Sequence, residues 1–130
     1  MRVKGTETIL AVDDDPIMLE LLEDVLVPLG YRVISAATGE EAIQLTSESD
    51  EMIDLRLVDV FLPGIMGQEL AVKLKNARPH MNILFMSGYM CPSMAREEKS
   101  EGVEAFIQKP FAPNSLLRKL RQLLDSNETP

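Results

Sequence analysis

Short runs of apolar residues alternate with longer amphipathic stretches along the chain. Most of the runs are rich in Val, Ile, Leu and Phe and are too short for helices, which is typical of buried strands. The five runs are Thr8–Val12, Arg32–Ala36, Leu55–Val60, Ile83–Met86 and Ala105–Ile107. The alternation predicts five strands, each followed by a helix.

The first two amphipathic stretches carry clear helix signals. In the first, Asp15 supplies an N-cap before Pro16 at the first helical position, and Gly30 marks the end. In the second, Thr38 and Glu41 form a capping box. Apolar residues recur at helical spacing in the first stretch, at Ile17, Met18, Leu21, Leu22, Val25 and Leu26. These stretches are therefore predicted helices.

The other three stretches complete the alternation. One predicted helix runs from about Gly67 to Asn76, and a poorer one starts near Pro92. The last carries one apolar stripe, made of Leu116, Leu117, Leu120, Leu123 and Leu124. Because every connection between strands is long enough for a right-handed crossover, we expect a doubly wound α/β fold with a parallel sheet. Ligands of such folds bind beyond the carboxyl ends of the central strands.

Polar side chains stand at four of the five predicted strand ends. Asp13 and Asp14 follow the first strand, Asp59 the third, Ser87 the fourth and Lys109 the fifth. Each alone is a common turn, cap or surface residue. A parallel sheet brings all four ends to one edge, however, where carboxylates repel unless a cation balances them. Oxygen ligands for Mg²⁺, a hydroxyl donor and an ammonium group suit phosphoryl transfer to a carboxylate.

Length, net charge, apolar runs and cysteine content exclude several further classes of protein. The 130 residues fit one domain, with polar ends at 1–7 and 126–130 that we interpret as linker and tail around a domain over 8–125. The net charge is −8, and no region is basic enough to predict direct DNA binding. No apolar run is long enough for membrane insertion. The single cysteine, Cys91, fits a reducing compartment, so we expect a cytoplasmic protein.

Four segments of the chain resemble the signature blocks of response-regulator receiver domains. They are Ile9–Pro16, Leu57–Gly64, Ile83–Tyr89 and Phe106–Phe111, in the order and spacing of that family. The resemblance covers about residues 8–125 and implies the flavodoxin-like (βα)5 fold with strand order 2-1-3-4-5. The segments around Gly5 and Ser87 look most like receivers at the C-terminus of hybrid sensor histidine kinases.

The resemblance also implies the centre of the site. Asp59 would accept a phosphoryl group from the phosphohistidine of a histidine kinase or a histidine phosphotransfer protein. Asp13 and Asp14 would hold Mg²⁺ together with Asp59 and the main-chain carbonyl of Phe61. The protein would then be a phosphorelay component and not a turnover enzyme.

Further residues take roles by the same resemblance. Ser87 and Lys109 would bind phosphoryl oxygens, and the Lys109–Pro110 peptide bond would be cis. Phe106 occupies the aromatic switch position, and a plain core role for its ring stays open. Ser87 and Phe106 together would remodel the surface of the fourth helix, fifth strand and fifth helix, through which a weak dimer is possible.

Several residues depart from the family pattern or add to it. Met66 replaces an acidic residue before the third helix and leaves the start of that helix less defined. Arg56 lies within a strand that is usually apolar, so its side chain must pair or reach solvent. Phe61 and Tyr89 each stand two residues beyond a site residue, where they could block water and lengthen the lifetime of the phosphoryl group. The basic residues near the C-terminus, including Arg118, Lys119 and Arg121, are offset by as many acids and predict no docking patch.

Other functions stay open at this stage. A Mg²⁺-dependent phosphatase of the haloacid dehalogenase type would use Asp13 as nucleophile and Asp15 as acid/base partner, but the chain has no late acidic pair and no cap insertion. An interaction module without phosphorylation is disfavoured by the intact set of site residues. A flavin or nucleotide carrier would need a Gly-rich phosphate loop, which is missing.

Overall fold

A five-stranded parallel sheet forms the centre of the fold in the computed structural model, which describes residues 4–48, 53–77, 82–88 and 105–126. The long strands are β1 (Thr8–Val12), β2 (Arg32–Ala36), β3 (Leu55–Asp59), β6 (Asn82–Ser87) and β7 (Ala105–Gln108). They lie in the order β2-β1-β3-β6-β7, and every pair is parallel. Counted alone, they have the predicted order 2-1-3-4-5, which confirms the doubly wound α/β fold.

The helices lie between the strands as the alternation predicts. They are α1 (Pro16–Leu26), α2 (Gly39–Glu48), α3 (Gly67–Ala77) and the C-terminal helix (Pro113–Ser126), with a 3₁₀ turn at Val27–Leu29. The helix predicted near Pro92 lies outside the described residues. None of the described helices is long and apolar enough to cross a membrane.

Two apolar layers cover the two faces of the sheet. Because alternate residues of a strand point to opposite faces, each central strand contributes to both layers. On one face, α2 and α3 pack over a cluster that includes Leu10, Val12, Val58, Leu70, Leu74 and Phe85. On the other, α1 and the C-terminal helix pack over Ile9, Ala11, Leu22, Leu57, Leu84 and Leu120. Burial on both faces explains why these strands are mostly apolar.

The predicted caps of α1 and α2 are present, with one difference in detail. Asp15 Oδ1 accepts a hydrogen bond from the amide of Ile17 at 3.0 Å. Thr38 Oγ1 accepts from the amide of Glu41 at 3.1 Å, while the Glu41 carboxylate accepts from Ala37 instead of from Thr38 itself. The reciprocal half of the capping box has therefore moved back by one residue.

Only some of the apolar residues that recur at helical spacing in α1 are buried in the core. Leu22 and Leu26 are fully buried, as the spacing predicts. Ile17 is 75% exposed and Leu21 is 40% exposed, so these two residues face solvent. The helix ends through the 3₁₀ turn at Gly30, whose φ of 105° lies in the left-handed region that favours glycine.

Arg56 stays inside the fold and does not reach solvent. Its side chain is fully buried in β3, and Nη1 donates to the carbonyl oxygen of Ile53 at 3.3 Å. The sequence requires the Arg56 side chain either to pair or to reach solvent, and the structure supports pairing. The Ile53 carbonyl oxygen thus offsets part of the cost of burying the guanidinium.

Arg121 joins the N-terminal segment to the C-terminal helix. Its side chain is 1% exposed, and Nη1 donates to Glu7 Oε1 at 2.8 Å and to the hydroxyl of Tyr31 at 3.3 Å. Nη2 pairs with Asp125. A Cβ on Gly5 would lie 2.6 Å from both Arg121 Nη1 and Tyr31 Cε1, so glycine allows the segment to pack closely here. Arg121 is thus a buried anchor and not one of the surface cations of the C-terminal region.

This anchor makes the stability of the fold depend on the charge of Glu7. Burial alone would raise the pKa of Glu7, but the hydrogen bond from Arg121 and those from main-chain amides lower it below its usual value. The lowered pKa stabilises the fold above the ordinary pKa of a glutamate, and that stabilisation is lost as the pH falls through the folded-state value.

We therefore expect Glu7→Gln to lower the free energy of unfolding by about 1 kcal/mol at pH 7 and by much less at pH 3. Urea unfolding followed by circular dichroism at both pH values measures the difference. Glu20→Gln, at an exposed position of α1, is the matched control and should change little. A loss of the same size at both pH values would contradict the role of the carboxylate charge.

Candidate functional site

Three aspartates meet at the carboxyl edge of the sheet. Asp13 and Asp14 follow β1, and Asp59 is the last residue of β3, the neighbouring strand. One carboxylate oxygen from each of the three lies within 4.8 Å of the others. The side chains of Asp13 and Asp59 are 1% and 11% exposed, whereas Asp14 is exposed. This is the convergence that the strand ends predict.

Lys109 brings a positive charge to the same place from β7. Its Nζ lies 2.6 Å from Asp13 Oδ2 and 3.4 Å from Asp59 Oδ2. The Lys109–Pro110 peptide bond is cis, as expected. The amide of Lys109 donates to the carbonyl oxygen of Ser87, a fully buried residue at the end of β6. Side chains from the ends of β1, β3 and β7 thus meet at one site, and Ser87 is tied to it through the main chain of Lys109.

Burial and the neighbouring charges both shift the pKa values of Asp59 and Lys109. Burial raises the pKa of Asp59, and the Asp13 charge raises it further, while the amide of Phe61 and the Lys109 ammonium lower it. The net effect is a raised pKa. Burial would lower the pKa of Lys109, but the carboxylates of Asp13 and Asp59 outweigh it and raise the pKa. Lys109 is therefore charged, and one ammonium does not fully balance the buried acids.

A short hairpin, which the sequence analysis did not predict, follows Asp59. It consists of β4 (Phe61–Leu62) and β5 (Ile65–Met66), paired antiparallel. Gly64, at the turn, has a φ of 82°. The Pro63-Gly64 pair between two short apolar segments was the available signal, since this dipeptide marks tight turns.

The hairpin places the main chain around Asp59. The amide of Phe61 donates to Asp59 Oδ1 at 3.2 Å, and the amide of Gly67 donates to the carbonyl oxygen of Val60 at 2.7 Å. A Cβ on Gly67 would lie 2.5 Å from the carbonyl oxygen of Asp59, so only glycine lets α3 begin this close to β3. Met66 is a strand residue here, and α3 begins at Gly67 as predicted although the acidic residue is missing.

Two of the remaining predicted site residues, Phe106 and Phe61, lie in β7 and on the hairpin. Phe106 lies in β7 beside Phe85, and its ring belongs to the apolar layer under α2 and α3. Phe61 is 45% exposed on the hairpin. Tyr89 lies outside the described residues, as do Cys91 and the segment predicted as the fourth helix.

The donor set at the strand ends fits a divalent cation. Three carboxylates in one crevice offer the oxygen ligands that Mg²⁺ takes, and their mutual repulsion favours a cation beyond the single ammonium of Lys109. Asp13 Oδ1 already accepts from the amide of Asp15 at 2.9 Å, which orients the carboxylate. Among the described residues, this is the group of acids that could hold a metal ion.

A family model for the response regulator receiver domain matches residues 9–121. The chain belongs to this family. A receiver domain protein of Methanospirillum hungatei, described as CheY-like, superposes with a TM-score of 0.84 at 34% identity, over 95% of this chain and 98% of that one. The receiver domain is a phosphoacceptor module of two-component signalling. Receiver domains are not, as a class, true enzymes, and the haloacid dehalogenase alternative has no support.

Curated relatives are longer proteins. A cyclic di-GMP phosphodiesterase of Thermotoga maritima is 33% identical over 117 residues, which are 90% of this chain and 31% of the relative. Sensor kinase CckA of Brucella abortus is 28% identical over 126 residues, which are 97% of this chain and 13% of the relative. The receiver domain thus spans less than a third of either relative.

Repulsion among the three acids predicts a response to magnesium. Without metal, Asp14→Asn removes one of the repelling charges and should raise Tm by a few degrees. Millimolar Mg²⁺ should stabilise the wild type by mass action and Asp14→Asn much less. Thermal unfolding with and without Mg²⁺ measures both effects.

Asp15→Asn is the matched control for this experiment. Asp15 is exposed and caps α1, and Asn is an equally good cap, so this variant should respond to Mg²⁺ like the wild type. An equal response of Asp14→Asn and wild type to Mg²⁺ would place the cation elsewhere.

Proposed function

We propose that Asp59 is the residue of this receiver that accepts the phosphoryl group from a phosphohistidine. The observation that carries the proposal is the approach of Lys109 to both Asp13 and Asp59 at the edge where the three acids meet. Asp59 is the acid that reaches this crevice from the central strand β3, with its Oδ1 held by the Phe61 amide. Its Oδ2 faces the ammonium group.

The transfer exchanges one bond for another. An Asp59 oxygen attacks the phosphorus, the P–N bond to the imidazole breaks, and its electron pair stays on the imidazole nitrogen, which takes a proton. The product is an aspartyl phosphate, a mixed anhydride. Burial raises the pKa of Asp59, because the carboxylate has lost part of its hydration.

Neighbouring groups balance the charge of the transferred phosphoryl group. Asp13, Asp14, Asp59 and the main-chain carbonyl of Phe61 would hold Mg²⁺, which when bound neutralises phosphoryl oxygens. Lys109 moves from its 2.6 Å contact with Asp13 to pair with a phosphoryl oxygen, and Ser87 donates its hydroxyl hydrogen to another. Phe106 then changes its position as the switch residue, a two-state equilibrium biased by a local charge.

We also propose the setting of this domain. The donor is a histidine kinase or a histidine phosphotransfer protein, and the chain is the receiver of a cytoplasmic hybrid sensor kinase. The similarity to sensor kinase CckA supports this setting. A weak dimer through the surface of the predicted fourth helix, β7 and the C-terminal helix belongs to the same proposal. The full-length gene, with or without a kinase upstream of residue 1, and sedimentation with and without phosphorylation test these two points.

Phosphoryl uptake tests the acceptor directly. After incubation with acetyl phosphate and Mg²⁺, the intact mass of the wild type should increase by one phosphoryl group, and that of Asp59→Asn should not change. Asp24→Asn, at an exposed position of α1, is the matched control and should gain the group. A gain in Asp59→Asn would move the site to another residue.

The lifetime of the phosphoryl group tests the role of two aromatic side chains. We propose that Phe61, with Tyr89, blocks the path of attacking water, so replacing both by Ala should speed the loss of phosphate at least about threefold. The rate is measured as the decay of the phosphorylated mass after removal of the donor.

Met66→Ala controls for damage to the hairpin. Met66 pairs with Phe61 across β4 and β5, so this variant weakens the hairpin without removing a side chain next to Asp59. Its dephosphorylation rate should stay near that of the wild type. An unchanged rate in the Phe61 and Tyr89 double variant would rule the blocking role out.

A further inference from the structure

A cavity of about 370 Å³ lies between the start of α2, the hairpin after Asp59 and the first two turns of α3. Cavities of about 300–1,000 Å³ are the usual size of small-ligand sites. The residues that line it do not include Asp13, Asp14 or Asp59, which form the group of acids at the sheet edge. The cavity is therefore separate from the site of the three acids.

The cavity has an apolar wall where α2 meets the hairpin. Ile43 of α2 and Ile65 of β5 are half-buried and pack against the apolar layer under α2 and α3, and Pro63 of the turn lies beside them. A Cβ on Gly39 would lie 2.5 Å from Ile65 Cγ2, so glycine lets α2 begin in contact with the hairpin. An alkyl group inside the cavity would lose contact with water along this wall, which favours its binding.

Three charged side chains line the same cavity, two of them acidic and one basic. Glu40 belongs to α2, and Glu69 and Lys73 lie four residues apart on α3. All three are exposed, and none forms a hydrogen bond or an ion pair with another residue in the part of the chain that the structure describes. Because one ammonium group stands against two carboxylates, the lining carries a net charge of −1.

We propose that this cavity binds an alkylguanidinium cation. Its alkyl part packs against Ile43 and Ile65, and its cationic plane bonds to the carboxylates of Glu40 and Glu69. A guanidinium presents five N–H donors in a fixed plane and is therefore better suited than a compact ammonium group to acceptors on two different helices. A free alkylguanidine and the arginine side chain of a protein partner carry the same chemistry. The inference does not depend on phosphoryl uptake at Asp59.

The alternative is a site for an anion. The main-chain N–H groups at the start of α2 and the ammonium group of Lys73 would favour negative charge, whereas Glu40 and Glu69 would repel it. The two possibilities predict opposite effects of the same substitutions. Loss of a carboxylate weakens the binding of a cation and strengthens that of an anion, and loss of Lys73 does the reverse.

The experiment titrates the ¹⁵N-labelled full chain and follows amide ¹H–¹⁵N shifts. The probes are butylguanidinium, a blocked tripeptide with a central arginine, neutral pentanamide and anionic pentanoate. The variants are Glu40→Gln, Glu69→Gln and Lys73→Met. Glu48→Gln is the matched control, because Glu48 is an exposed acid of α2 that does not line the cavity.

We expect butylguanidinium to shift the amides of residues 38–43, 63–65 and 69–73 with a Kd of about 1–10 mM, and pentanamide to bind about tenfold more weakly. Glu40→Gln and Glu69→Gln should each raise this Kd about threefold, Lys73→Met should lower it, and Glu48→Gln should leave it unchanged. Binding of the tripeptide at a similar Kd supports a protein arginine as the source, and its exclusion supports a free alkylguanidine.

Equal binding of butylguanidinium and pentanamide, tighter binding of pentanoate, or weaker cation binding in Lys73→Met would overturn the proposal. So would an equal effect of Glu48→Gln and Glu40→Gln, which would assign the attraction to the overall negative charge of the protein. Failure of the wild type to take up a phosphoryl group would overturn the proposed function alone, because no step of this titration uses phosphorylation.

Discussion

The meeting of three carboxylates at one sheet edge, two of them paired with one ammonium group, is the constraint on which the site depends. Asp13 and Asp59 are nearly buried, and Lys109 lies close to both, so the charge at the edge of the sheet is only partly balanced. Such a site favours the binding of a further cation. Burial raises the pKa of Asp59, and the Asp13 charge adds to that effect.

The surrounding fold holds this arrangement from two sides. The hairpin after β3 holds Asp59 through the Phe61 amide, and Gly67 lets α3 begin against the same strand. On the other side, the cis bond at Lys109–Pro110 follows β7, whose main chain is bound by Lys119. The site is therefore connected both to the α2 and α3 layer and to the C-terminal helix.

Most of the scaffold was predictable because strands and helices leave local signals. The boundaries of β1 and β2 follow directly from their apolar runs, and Asp15 caps α1 as its position before proline implies. Local patterns failed where exposure depends on neighbours distant in sequence. Ile17 and Leu21 repeat with helical spacing yet face solvent, and Arg121 carries a charge yet is buried between partners 90 and 114 residues away.

The sequence by itself determined the fold class and the residue types available at each strand end, since periodicity and caps are properties of short segments. The distances among those residues required the tertiary structure, because the register and twist of neighbouring strands decide which carboxylate meets which ammonium group. The preference of Lys109 for Asp13, at 2.6 Å against 3.4 Å for Asp59, is such a result. The contact between Lys119 and the Phe106 carbonyl is another such result. Every residue has a main-chain carbonyl, so the sequence does not show which of them accepts a hydrogen bond from a lysine.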